Sequence, residues 1–321
     1  MRDTFAQAFY DEAQVNPKLF MVVADISPAS KIANFKKEFP SRFIDVGVAE
    51  QTLIGLSAGL ALRGYKPFAY TIANFSIYRP FEQVRNDVCY QNLPVTVVGM
   101  GAGITYSPLG ATHHTLEDVA VMSAIPNMSV LAPCDPLELK AAMRAAFIHK
   151  GPLYLRLGKA GEPELTAQAE EHFEFGKIRR IKNGQNSNDD VCILSYGPIM
   201  KMAADLAARI EAQWDESVAL YSVHTLKPLD REGIAAALAS YAQVLVIEEH
   251  VERGGLGAQV KQIAWETKAQ CQLQTFHLQD AFLHCYGSYD DVRRAHGLSV
   301  DQIFEQLNGG VKASVQEEAL C

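Results

Sequence analysis

Apolar and polar positions alternate along the first half of the chain in two distinct rhythms. Residues 4–15 carry apolar side chains at helical spacing. Residues 20–24 (Phe-Met-Val-Val-Ala) form a short unbroken apolar run closed by Asp25, the pattern of a buried parallel strand. Residues 51–63 are rich in small side chains at helical spacing, and Gly64 supplies a C-terminal stop. The alternation continues with strand-like runs at 66–71, 95–99, 129–132 and 154–157. Helical patterns lie between them at 78–91, 116–123 and 136–149, the last opening on Pro136. Strands alternating with helices predict an α/β fold built on a doubly wound, mostly parallel sheet covered on both faces.

Residues 159–174 lose this periodicity and are rich in charge and alanine, so the first domain is placed at 1–165. Residues 166–187 read as a linker with a first strand, and 184–190 as a polar turn. A second alternating unit follows, with strands at 191–195, 218–223 and 244–248 and helices at 199–213, 230–241 and 257–269. It predicts a smaller α/β domain over 188–310, with 311–321 as a tail.

Bulk properties narrow the functional classes. A length of 321 residues allows about two domains at roughly 150 residues each. A formal charge of −8 argues against nucleic acid or an anionic membrane as partner. No apolar run approaches the ~20 residues needed to span a bilayer. Met1-Arg2-Asp3-Thr4-Phe5 opens no signal sequence, so the expected compartment is the cytoplasm. Cysteines 89, 134, 192, 271, 285 and 321 form no Cys-x-x-Cys pair; thiols are expected rather than a zinc or redox centre, and Cys321 reads as incidental.

Three local patterns invite a chemical reading. Gly99-Met100-Gly101-Ala102-Gly103 follows a strand, but its spacing is G-x-G-x-G and no helix opens after it. A dinucleotide site needs that helix N-terminus for the pyrophosphate, so a plain turn or a loop approaching another ligand fits better. Glu50 stands at a helix start, where a carboxylate alone means only favourable dipole chemistry. His113-His114 has no third ligand at metal-site spacing, so no metal is assigned and a polar loop is the plain alternative.

Taken in order, the motifs resemble those of transketolases and deoxyxylulose-phosphate synthases. Phe39-Pro40-Ser41-Arg42-Phe43-Ile44-Asp45-Val46-Gly47-Val48-Ala49-Glu50-Gln51 resembles their catalytic-glutamate segment. Asn74-Phe75-Ser76-Ile77-Tyr78 with Gln83 resembles their aromatic cofactor segment, and Gly110-Ala111-Thr112-His113-His114 their Gly-x-Thr-His loop. Ala124-Ile125-Pro126-Asn127-Met128 and His224-Thr225-Leu226-Lys227-Pro228-Leu229-Asp230 also match. The likeness runs from about residue 3 to about residue 305. It implies a pyrimidine-binding domain followed by a transketolase C-terminal domain, and thiamine diphosphate as cofactor.

The resemblance also implies roles. Glu50 would hydrogen-bond the aminopyrimidine ring nitrogen and promote proton loss from the thiazolium carbon, and the cofactor would then accept the electron pair of a broken C–C bond. Phe75 would stack on the aminopyrimidine with Tyr78 nearby, although each in isolation reads as core. Asp25 would lie near the thiazolium. His113 would bond substrate hydroxyls, and Arg156 would grip a substrate anion. Asp45, Ala29 and Gly101 stand where transketolases carry the rest of their phosphate grip, and Leu109 replaces the aspartate that binds a donor hydroxyl. A ketol or acyl transfer on another sugar or keto substrate therefore fits better than ordinary pentose-phosphate chemistry.

The chain has no Gly-Asp-Gly motif, which in the family holds Mg²⁺ and the diphosphate. Its start coincides with that of the pyrimidine domain. A partner subunit is expected to supply the diphosphate domain, in an α₂β₂ assembly. The alternatives are a β subunit of a 2-oxo-acid dehydrogenase and a non-catalytic regulatory subunit. The Thr112-His113-His114 loop disfavours the first, and the presence of both Glu50 and Phe75 the second.

Overall fold

The computed structural model describes residues 1–26, 31–182 and 190–309. Ala29, the turn at 184–189 and the tail with Cys321 lie outside the described residues. The first six strands are β1 (Leu19–Val23), β2 (Phe43–Asp45), β3 (Lys66–Ile72), β4 (Thr96–Met100), β5 (Ser129–Leu131) and β6 (Leu153–Leu157). Six more follow: β7 (Arg179–Lys182), β8 (Val191–Ser195), β9 (Val218–Ser222), β10 (Thr225–Lys227), β11 (Gln243–Val251) and β12 (Gln272–Leu278).

The strands form two sheets. The first runs β10-β5-β6-β4-β3-β1-β2, parallel except for β10. The second runs β12-β11-β8-β9-β7, parallel except for the edge strand β7. Helices pack against both, giving the expected α/β architecture. In the first sheet the chain goes from β1 outward to β2 and then returns to β3 on the other side of β1. That reversal opens a crevice beyond the carboxyl ends of β1 and β3, where open α/β sheets bind their ligands.

Two apolar layers hold the first sheet. Phe5 and Phe9 from the helix Arg2–Val15 meet Phe35 and Phe68, with Phe9 edge-on to Phe35 at 5.1 Å. Leu53, Ile54, Val84, Val88, Val119 and Met122 cover the opposite face. Each such side chain contributes about 1.5–3 kcal/mol by burial. Asp135 caps the helix Pro136–Ile148 by accepting from the Glu138 amide, and its second oxygen accepts from Leu165 and Thr166. One carboxylate thus fixes both a helix start and the path of the linker.

The structure departs from the sequence pattern at two places that matter for function. The helix expected over 78–91 begins only after Pro80, where an α-helical turn, Phe81–Gln83, runs on into a π-helical one, Val84–Cys89; a separate short helix, Ala73–Ile77, precedes it. Proline has no amide hydrogen and its ring crowds the preceding turn, so the helix cannot run through. Strand β10 falls within the span expected for the second domain but completes the first sheet, pairing antiparallel with β5. Lys227 secures the join by donating to the carbonyls of Ser123 and Ile125.

Candidate active site

Most of the residues singled out in the sequence, Arg156 excepted, gather around the β1/β3 crevice. Glu50 opens the helix Glu50–Leu62 just after β2 and is 5 % exposed. Phe75 lies on the short helix that follows β3 and is half-buried. Asp25 follows β1 in a left-handed conformation, φ 42°, and is exposed. Its amide and that of Gly47 both donate to Asp45 Oδ1, at 3.3 and 3.0 Å, so Asp45 knots the ends of β1 and β2 together.

His113 reaches the same place from the loop after β4. Its ring stands edge-on to Phe75 at 5.2 Å and tilts toward Tyr106 at 6.5 Å. Its Nδ1 shares a hydrogen bond with the Thr112 hydroxyl. Asn74 donates to the His114 carbonyl at 2.9 Å, which ties the Phe75 helix to the histidine loop. His114 itself is buried, and burial with the adjacent His113 pushes its pKa down to about 4.

Glycines 101 and 103 both take left-handed φ, 69° and 66°. A side chain at Gly101 would collide with Tyr106, and one at Gly103 with Glu249. The glycine run therefore admits protein side chains rather than a nucleotide.

The crevice is bridged by a residue that the motifs did not nominate. Arg79 Nη1 donates to both oxygens of Glu50, each at 3.1 Å. The Arg79 guanidinium also lies over the Phe75 ring, 4.6 Å from its centroid. A flat, N–H-bearing group thus fits between the carboxylate and the aromatic face. The aminopyrimidine half of thiamine diphosphate is likewise flat, with a ring nitrogen that hydrogen-bonds a carboxylate once a proton lies between them, so these residues fit that half of the cofactor.

Tyr78 sits beside them but turns its hydroxyl to Glu117 Oε2, at 2.7 Å, with its ring against the core. Burial, together with the nearby Asp118, raises its pKa well beyond the ordinary phenol value. It supports the Phe75 helix from behind.

Arg156 lies apart from the others. It is 1 % exposed, with Nε on Asp118 Oδ2 at 2.8 Å and Nη2 on the Glu249 carbonyl at 3.0 Å. Tyr154 donates to the same Asp118 oxygen, and the guanidinium lies over the Tyr196 ring. β6 is buried on both faces, and Arg156 shares a face with Tyr154 and braces the junction of the two sheets. Lys159, two residues past β6, is half-buried with Nζ 4.9 Å from the centroid of the Tyr106 ring, which in turn neighbours His113. Its signal in the sequence was its place just beyond a strand's carboxyl end. Among the described residues, no three His, Cys, Asp or Glu side chains converge to hold a metal ion.

The likeness to known proteins agrees with this geometry. Residues 1–161 match the transketolase pyrimidine-binding domain, and residues 182–303 match the transketolase C-terminal domain. The chain is 32 % identical over 307 residues to a subunit of the apulose-4-phosphate transketolase of Actinobacillus succinogenes, covering 95 % of this chain and 96 % of that one. It is 34 % identical over 303 residues to the 6-deoxy-6-sulfo-D-fructose transketolase subunit SqwH of a Clostridium species, covering 94 % and 92 %. A solved structure of a split gene transketolase, an inactive beta4 tetramer, superimposes with a TM-score of 0.83 at 31 % identity and covers 98 % of both chains. The chain belongs to the transketolase family, whose members depend on thiamine diphosphate. Among the described residues no helix is long and apolar enough to cross a membrane.

Proposed function

We propose that this chain is one subunit of a thiamine-diphosphate-dependent transferase of the transketolase type, moving a two-carbon ketol unit between sugar or keto substrates. The observation that carries the proposal is the slot between Glu50 and Phe75, filled by a planar guanidinium that meets both. Glu50 accepts a hydrogen bond from the aminopyrimidine and holds a proton there, in a site dry enough for the carboxylate to act on one atom. Phe75 stacks on the ring. Asp25, exposed at the end of β1, would meet the thiazolium half, and Tyr78 fixes the Phe75 helix. His113 faces the substrate, and Lys159, rather than Arg156, is the cation at the mouth. Bound there, thiamine diphosphate supplies a carbon that accepts the electron pair of the broken C–C bond.

A partner subunit supplies the diphosphate domain and most of the Mg²⁺ ligands, in an α₂β₂ assembly. Support comes from relatives named as subunits that match this chain over nearly their whole length. The related split-gene protein forms a beta4 tetramer that is inactive, which supports both self-association and a need for the partner. The test is Glu50→Gln in the enzyme reconstituted with its N-terminal transketolase-type subunit. Turnover falls at least ~100-fold with the fold intact, the scale of a lost acid–base group. Near-normal turnover would remove Glu50 from the chemistry.

A further inference from the structure

We infer that Arg79 is a placeholder that occupies the aminopyrimidine slot of the empty subunit and must swing out before cofactor can enter; this rests on the cofactor site proposed above. Arg79 Nη1 bonds both Glu50 oxygens at 3.1 Å, and its guanidinium covers the face of Phe75 at 4.6 Å. A guanidinium and an aminopyrimidine are both flat, with a π-face for Phe75; the guanidinium offers N–H donors to the carboxylate, and the pyrimidine a ring nitrogen that donates to it once protonated. They compete for the same carboxylate and the same ring, and both cannot be seated.

The two partners differ in mobility. The Glu50 side chain is 5 % exposed and fixed on the first turn of its helix, whereas that of Arg79 is 50 % exposed. Arg79 precedes Pro80, where the helix carrying Phe75 has already ended, so its stem is not held in a helical turn. The arginine can therefore leave without moving the backbone. In the empty subunit it neutralises a buried carboxylate, which would otherwise bear an uncompensated charge. Both of its contacts involve a half-exposed cation and are individually weak. The closed state therefore lowers apparent affinity by its share of the population, a modest factor rather than a block.

The test uses the full-length chain and a probe that needs neither diphosphate nor partner, 4-amino-5-hydroxymethyl-2-methylpyrimidine. Titration by calorimetry or saturation-transfer NMR compares wild type with Arg79→Met, which keeps the aliphatic stem, and with Arg79→Ala. Both variants bind the probe about 3- to 10-fold more tightly than wild type. In the wild-type chain, the Arg79 side-chain NMR signal, identified by its loss in Arg79→Ala, shifts toward that of a free arginine as the probe saturates. Unchanged or weaker binding by the variants, no binding to Arg79→Met at millimolar probe, or an unmoved Arg79 signal at saturation overturns the inference. Glu50→Gln and Phe75→Ala in the Arg79→Met background separate the two layers of the argument. If they abolish probe binding while Arg79→Met alone does not tighten it, the site stands and the placeholder falls. If they leave probe binding unaltered, the site itself is misassigned and the inference falls with it.

Discussion

Replacing Arg156 with methionine should destabilise the protein through a charge stranded in its interior. Among the described residues Arg156 is the largest fully buried side chain, and its partner Asp118 is 0 % exposed. Asp118 Oδ2 takes bonds from Arg156 and Tyr154, whereas Oδ1 has no partner in the structure. Methionine fills most of the volume but leaves Asp118 ionised with one neutral donor. Breaking a buried pair in this way costs about 3–5 kcal/mol. With a urea dependence of about 2–3 kcal/mol per molar, the unfolding midpoint falls by on the order of 1–2 M. The double change Arg156→Met with Asp118→Asn should recover at least half of the loss, because no charge is then stranded. Urea titration followed by circular dichroism reads all three variants. A midpoint shift under ~0.3 M, accompanied by a raised KM, would refute the bracing role and return Arg156 to the substrate.

Phe75→Ala should weaken thiamine diphosphate binding to the reconstituted enzyme by about 2- to 10-fold, the worth of a stacked aromatic pair; an unchanged dissociation constant would make Phe75 mere core. Asp135→Ala removes a helix cap and orphans the amides of Leu165 and Thr166, so a loss of about 2 kcal/mol is expected on chemical unfolding, and a loss below ~0.5 kcal/mol would contradict it. Stability should fall on acidification. Burial, aided by Arg179 at His224, by His113 at His114 and by His114 at His296, pushes His224 down to about 3 and the other two to about 4. A folded pKa below the ordinary 6.5 gives stability that is present above pH 6.5 and is lost as pH falls through about 4. Burial pushes the Glu249 carboxyl up to about 7 against the pull of Arg156, and its contribution has the opposite sign, being lost as pH rises through 7. Burial lowers His149 too, and four such histidines outweigh the two buried carboxyls that are raised, Glu138 and Glu249, so the melting temperature should drop between about pH 6.5 and 4; a flat or rising profile would show that these histidines are not buried neutral.

The alternation of strands and helices was legible because parallel strands buried on both faces read as short apolar runs. That Glu50, Phe75 and His113 lie on segments following β2, β3 and β4 could also be read from the chain, since each motif comes after a strand-like run. Strand β10 was not. Thr225, Leu226 and Lys227 are too few for a periodic signal, and their partner β5 lies far back in the chain. For Arg156 the resemblance implied an anion contact, whereas its parity within β6 puts it beside Tyr154 and Asp118. Arg79 left only a faint trace: an arginine four residues after Phe75 and just before a proline. Its role emerges only when Glu50, remote in sequence, is brought against it.

Calorimetric titration of thiamine diphosphate with Mg²⁺ into this chain alone, and into its mixture with the N-terminal transketolase-type subunit, addresses the proposed division of labour most directly. The mixture should bind cofactor tightly and transfer ketol units, and Glu50→Gln should lower the transfer at least ~100-fold. The lone chain should bind weakly and catalyse nothing. Full activity of the lone chain, or micromolar Mg²⁺-dependent cofactor binding without the partner, would contradict a catalytic site shared between two polypeptides.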